Sequence, residues 1–201
     1  MNRALPIFFS MAFALLLLVT PAQAGNPYFS GNAGLSFSGT ESVENTTSST
    51  LQKLPVDGGP NLQAALGYRE GSWRLEGELG YQNKGLGLSG NGGHLRATSL
   101  LLNGYYDFSG GGVEPYLTAG IGGAGVSMSD WTVGADSYSS SGNTTKLAWQ
   151  AGAGLSFPVC VCTCTAIEVR YRYFATTRIA DGSHAYSPST SSILLGLRVG
   201  F

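Results

Sequence analysis

The strongest constraint on the fold lies in the last eleven residues, Ser191 to Phe201. Ile193, Leu195, Leu197, Val199 and Phe201 fall on one face at period two, while Ser192, Leu194, Gly196, Arg198 and Gly200 fall on the other. That spacing is a strand with an oily side and a small or polar side. In a soluble sandwich the oily side would enter a core. In a membrane-spanning barrel it would face lipid, with polar residues in the lumen and aromatics at the interfaces.

The same alternation recurs seven more times. Phe29, Gly31, Ala33, Leu35 and Phe37 oppose Tyr28, Ser30, Asn32, Gly34 and Ser36. Leu62, Ala64, Leu66 and Tyr68 oppose Asn61, Gln63, Ala65, Gly67 and Arg69. Trp73, Leu75, Gly77, Leu79 and Tyr81 oppose Arg74, Glu76, Glu78, Gly80 and Gln82. Leu100, Leu102, Gly104, Tyr106 and Phe108 follow, then Leu117, Ala119 and Ile121, in a strand whose glycines leave its facing open. Leu147, Trp149, Ala151, Ala153, Leu155 and Phe157 make the sixth set, and Ile167, Val169, Tyr171 and Tyr173 the seventh.

Long connections (Thr40–Pro60, Asn83–Leu95, Ser127–Lys146 and Ala175–Thr190) alternate with short turns. Glu70-Gly71 is expected as a two-residue hairpin turn, with Tyr68 opposite Trp73 and Leu66 opposite Leu75. An even strand count, with both ends on the short-turn side, predicts an all-β, eight-stranded antiparallel up-and-down transmembrane β-barrel. Two aromatic girdles follow from that layout. Phe29, Tyr68, Trp73, Tyr106, Phe108, Phe157 and Phe201 fall near the short turns, and Phe37, Tyr81, Trp149, Tyr171 and Tyr173 near the long connections.

The opposite face carries Arg69, Arg74, Glu76, Glu78, Asp107, Gln150, Glu168, Arg170, Arg172 and Arg198. A soluble ligand-carrying barrel of eight strands turns apolar residues inward instead. Burying this set in such a core costs several kcal/mol for each imperfectly paired ion.

Composition agrees: glycine is abundant at 30 residues, and only 11% of residues are charged, against about 25% in ordinary soluble domains. Met1 to Ala24 has a charged start at Arg3, an apolar run from Ala4 to Val19 and an Ala22-Gln23-Ala24 cleavage signature. It is expected to be a secretory signal peptide, leaving residues 25–201 as the barrel domain. Without Arg3 the mature chain has ten basic and twelve acidic residues, a net charge of −2. No basic patch points to nucleic acid.

In Leu102-Asn103-Gly104-Tyr105-Tyr106-Asp107-Phe108, in Glu114-Pro115-Tyr116-Leu117-Thr118-Ala119-Gly120-Ile121-Gly122 and in the terminal Leu195 to Phe201, the chain resembles the OmpA/OmpX-type eight-stranded outer-membrane barrels of the porin-like surface-protein superfamily. The resemblance implies the outer membrane of a Gram-negative bacterium, with lipopolysaccharide and the lipid bilayer as surroundings. It also implies that Leu195, Leu197, Val199 and Phe201 are similar to the signal read by the barrel-assembly machinery. No peptidoglycan-binding domain such as that of OmpA is expected after the barrel, so that activity is not implied.

Arg74, Glu76, Glu78, Glu168, Arg170, Arg172 and Arg198 are the expected lumen charge network, with Glu76 and Glu78 meeting Arg170, Arg172 and Arg198. Such a network can be a gate or a packed ladder of ion pairs. Eight strands leave an interior just wide enough for side chains, which favours the ladder. Cys160-Val161-Cys162-Thr163-Cys164 sits at a short turn, where a three-residue loop sets Cys160 opposite Cys164. In an oxidising compartment that spacing can close a disulfide, with Cys162 left at the tip. No metal, cofactor or catalytic residue is expected. Asp181, His184 and Ser187 have the residue types of a hydrolase triad but lie in a polar loop without an oxyanion motif; His94 lies among Gly and Asn. The expected function is a non-enzymatic, monomeric surface barrel serving envelope integrity or adhesion, its loops meeting a host or cell-surface ligand, with Trp131, Tyr138 and Tyr186 as contact points. The alternatives are a small pore or transporter and, after it, a lipid-modifying enzyme.

Overall fold

The computed structural model describes residues 26–37, 39–45, 50–56, 58–86, 93–108, 110–129, 131–133, 136–138, 144–160, 164–177, 179–181, 184–186 and 189–201. The segment expected to be a signal peptide lies outside them. Eight long strands form the barrel: β1 (Asn26–Ser36), β2 (Gly59–Glu70), β3 (Trp73–Leu86), β4 (Gly93–Asp107), β5 (Glu114–Ser129), β6 (Thr144–Cys160), β7 (Cys164–Thr176) and β8 (Ser189–Gly200). Each pairs antiparallel with its chain neighbours. The sheet closes where β1 meets β8, Phe29 opposite Val199 and Leu35 opposite Ile193. The molecule is therefore an all-β, up-and-down eight-stranded barrel.

The stagger can be followed residue by residue. Starting at Asn26, direct partners run through Arg69, Arg74, Tyr105, Thr118, Gly152, Arg172 and Ser192, and return to the first strand at Ser36, ten residues further on. Such an offset tilts the strands steeply against the axis, as barrels of this type require.

Facing follows parity. Among the described residues, 23 buried side chains are polar or charged and 12 are apolar, whereas 27 large hydrophobics are exposed. That is the inverse of a water-soluble protein, and it makes sense only with hydrocarbon outside. Leu117 and Ile121 are exposed and Tyr116 and Thr118 buried, which resolves the facing of β5. Edge-to-face contacts link Trp73 to Tyr106 at 4.9 Å and Tyr106 to Phe108 at 5.0 Å at the short-turn end. At the other end Trp149 and Tyr173 lie 5.5 Å apart.

Two local expectations are corrected. The β2–β3 turn is Gly71-Ser72, with Glu70 opposite Trp73, Tyr68 opposite Leu75 and Leu66 opposite Gly77. Favoured two-residue turns need positive φ at their first central residue, which Gly71 supplies at 58° and Glu70 would adopt only under strain. The shift changes partners by two residues, so every side chain keeps its face. The long connections also hold more structure than their polar composition indicates. Gly39–Asn45 pairs with Thr50–Val56, Trp131–Val133 with Asp136–Tyr138, and Ile179–Asp181 with His184–Tyr186. His184–Tyr186 also pairs with Gly39–Asn45, tying the last long connection to the first.

Candidate functional site: a packed ionic lumen

Inward positions on all eight strands converge on the axis. Their size is matched across strand pairs. Tyr28 sits opposite Gly67, Asn103 opposite Gly120, Tyr116 opposite Gly154 and Asn32 opposite Gly196. A Cβ at any of these glycines would overlap the facing side chain. The glycines are thus the space into which large polar groups lean.

Near the short turns, Arg74 is the hub. Its guanidinium reaches Asp107 at 2.9 Å and Glu168 at 3.1 Å, with Glu76 at 3.8 Å. It also stacks 4.4 Å from the Tyr105 ring centroid and 4.9 Å from that of Tyr116. Arg198 donates to Glu168 at 2.9 Å and to Ser156 at 3.1 Å. The Tyr28 hydroxyl donates to Glu76 at 2.7 Å. At the rim, Arg69 joins Glu114 at 3.2 Å and Asp107 at 3.6 Å.

At mid-height Glu78 is the hub. Arg170 lies 3.3 Å from it and Arg172 3.5 Å, and Asn103 donates to it at 3.1 Å. Gln150 donates to Asn103 at 2.6 Å and accepts from Arg172. Arg170 donates to the Tyr105 hydroxyl and to Gln63, so both hubs share one web. Toward the long connections Leu101, Ala124, Ala148 and Phe174 form a small buried apolar cluster, with Gln82, Lys84, Ser99, Thr176 and Thr190 also buried at that end. The Phe174 ring lies 4.7 Å from the Arg172 guanidinium carbon. A void of about 20 Å³ beside Gln82, Val126, Phe174 and Thr190 has room for about one water molecule.

The seven charges singled out in the sequence are all buried here, and Glu78 meets Arg170 and Arg172 as expected, whereas Arg198 meets Glu168 and Glu76 lies beside Arg74. Asp107, Tyr28, Tyr105, Asn103, Gln63 and Gln150 complete the web. Their signal in the sequence was parity alone, since each shares the inward face of its strand. Cys160 and Cys164 are direct cross-strand partners at the end of the β6–β7 hairpin; Cys162 lies outside the described residues. Asp181 and His184 are backbone partners in a loop hairpin, and Ser187 lies outside the described residues. His94 is paired with Gly85 and Ser129 at the loop end of β4. No group of three potential metal ligands occurs among the described residues.

Residues 9–201 match the outer membrane protein beta-barrel domain family. A search of curated proteins gives no match. Among solved structures the chain is similar to Neisserial surface protein A, at 18% identity and a TM-score of 0.57, covering 89% of this chain and 100% of that one. It is similar to the outer membrane protease OmpT from Escherichia coli at 9% identity and a TM-score of 0.51, covering 88% and 97%. It is also similar to Ail, the attachment invasion locus protein of Yersinia pestis, at 18% identity and a TM-score of 0.43, covering 87% and 99%. A surface protein and a protease on one architecture mean that the likeness conveys fold and not activity. Sequence match, closed barrel and inverted polarity converge: the chain belongs to the outer membrane protein beta-barrel family and resides in the outer membrane of a Gram-negative bacterium.

Proposed function

We propose that this protein is a closed, non-enzymatic barrel that displays its long connections at the cell surface and serves envelope integrity, adhesion, or both. One observation carries the reading: the lumen is filled by a continuous web of buried ion pairs and hydrogen bonds, with an apolar cluster packed beside it. A solute crossing it would have to part several ion pairs in a low-dielectric interior, each costing several kcal/mol once a charge is orphaned. The loops, anchored to a rigid wall, are then the surface free to meet partners. Lipopolysaccharide is the expected neighbour outside, the barrel-assembly machinery reads Leu195, Leu197, Val199 and Phe201, and the protein works as a monomer. In the oxidising periplasm, Cys160 and Cys164 close a disulfide, a periplasmic disulfide oxidant taking up the two electrons.

Planar-bilayer recording of the refolded protein tests the reading: a silent membrane is expected, and steady ion conductance would overturn it in favour of a small pore. Cells carrying Ser187→Ala or His184→Ala are expected to keep their lipid A acylation unchanged; an altered pattern would revive the enzymatic alternative. Loss of adhesion or of detergent resistance in a deletion strain separates the two surface roles.

A further inference from the structure

We infer that the periplasmic end of the β6–β7 hairpin is a redox exchange site, where the Cys160–Cys164 disulfide takes electrons from a periplasmic protein bearing a reactive dithiol. The inference rests on the disulfide in the reading above and on its orientation, with the short turns in the periplasm.

The chain has three cysteines, and all of them fall within five residues. Thirteen backbone pairs join β6 to β7, and Cys160 opposite Cys164 is the last. Pairing with the neighbouring strands ends sooner. The ladder between β6 and β5 stops at Ser156 opposite Glu114, and the one between β7 and β8 at Thr165 opposite Val199. Cys160 therefore stands four residues, about 13 Å of strand, past the last backbone pair with β5. Parity sets the face. Cys160 follows the buried Ser156 at period two, and Cys164 precedes the buried Ala166 and Glu168. Both positions continue the lumen row toward the aqueous mouth of the barrel, whereas Val159, on the other parity, is exposed on the lipid-facing side. A water-soluble protein reaches this end of the hairpin without entering hydrocarbon.

A bond at this place does little for the barrel. The twelve pairs before it already hold the two strands together, and the loop it closes has only Val161, Cys162 and Thr163 between the cysteines. Restraint of the unfolded chain grows with the length of the enclosed loop, so this is the spacing at which a disulfide stabilises least. Exposed disulfides that the fold does not need are the labile ones, while structural bonds resist the thiol pool.

Each step of the exchange balances. A thiolate of the partner attacks one sulfur of the Cys160–Cys164 bond, which breaks as a mixed disulfide forms. The partner's second thiolate then attacks that mixed bond. The partner leaves as a disulfide, and Cys160 and Cys164 remain as two thiols that have gained two electrons and two protons. The periplasmic oxidant that first closed the bond restores it by the reverse exchange. The barrel is thus a substrate of the exchange and not its catalyst.

The test uses the full mature chain, refolded and oxidised in a neutral detergent, then held without denaturant in glutathione buffers of rising reduced fraction. Free thiols are trapped with a maleimide and counted by mass spectrometry, and heat-modifiable gel mobility reports whether the barrel is still folded. Cys162→Ser, which leaves only Cys160 and Cys164, is expected to go from no free thiol to two with the barrel folded throughout. Wild type should gain the same two. A reduced dithiol protein of the thioredoxin type should open the bond at least about ten-fold faster than glutathione at equal thiol concentration; equal rates would remove the protein partner. A bond that resists both reductants until the barrel unfolds overturns the exchange site and leaves the disulfide in place. An unbonded pair in oxidised Cys162→Ser overturns the site together with the disulfide on which it rests. So does a pair freed by a chelator instead of a thiol, which would mark a bound soft metal. None of these outcomes bears on the bilayer recording, so this site and the closed-barrel reading fail separately.

Discussion

The two levels of the lumen differ in how they are held: the lower by ion pairs, the upper by an apolar cluster with fewer charges around it. Toward the short turns, Arg74, Arg198, Asp107 and Glu168 interlock with three tyrosines. Toward the long connections, Leu101, Ala124, Ala148 and Phe174 touch one another, and a single buried cation among the described residues, Lys84, shares a small void with Phe174, Gln82 and Thr190. Arg172 marks the boundary, facing Glu78 on one side and the Phe174 ring on the other. The contrast teaches how each level depends on the other. Ion pairs strengthen as the local dielectric falls, and the packing around Phe174 keeps bulk water off Arg172. Ion pairs in turn fix which strands lie opposite, a specificity that small apolar residues such as Ala124 and Ala148 cannot supply.

If the charged level works as a web, its hub should be the most sensitive point in the barrel. Glu78→Gln leaves Arg170 and Arg172 without their carboxylate and is expected to cost roughly 3–5 kcal/mol in reversible urea unfolding from lipid vesicles. Adding Arg172→Met should restore at least half of that; no recovery would mean that the pairs act independently. The apolar level should answer to volume instead. Phe174→Ala is expected to cost about 3 kcal/mol, and Phe174→Leu less than about 1.5. Phe174→Ala should also make stability sensitive to added salt, by admitting water to Arg172; an unchanged salt response would break the link between the levels. Gly154→Ala, which presses a methyl into the Tyr116 ring, should cost about 2 kcal/mol through overpacking. Outside the lumen, Trp73→Leu removes an edge-to-face contact with Tyr106 and should cost only about 1 kcal/mol.

How much of this the chain disclosed depends on distance. Facing is a local property of period two, so the outward set from Phe29 to Phe201 and the closure of eight strands were legible. Turn register was nearly so. By residue type Glu70-Gly71 and Gly71-Ser72 both suit a turn, and only the need for positive φ at the first central residue selects the second. The loop hairpins, such as Gly39–Asn45 with Thr50–Val56, were hidden by composition: Ser, Thr and Glu suit a strand that has water on its faces as well as they suit a coil. Ion partners were the least legible. Arg198 lies 30 residues from Glu168 and Arg74 lies 94 from it. Which of them meet depends on the ten-residue stagger, a sum of eight registers that no single stretch contains.

The seam between β1 and β8 has a consequence for biogenesis. The earliest strand made is bonded to the latest, so no nascent fragment can be a finished cylinder. Any shortened chain would bring two raw strand margins, with rows of bare amides, into hydrocarbon that offers them no partner. A closed cylinder in the membrane therefore requires β8 to be present beside β1.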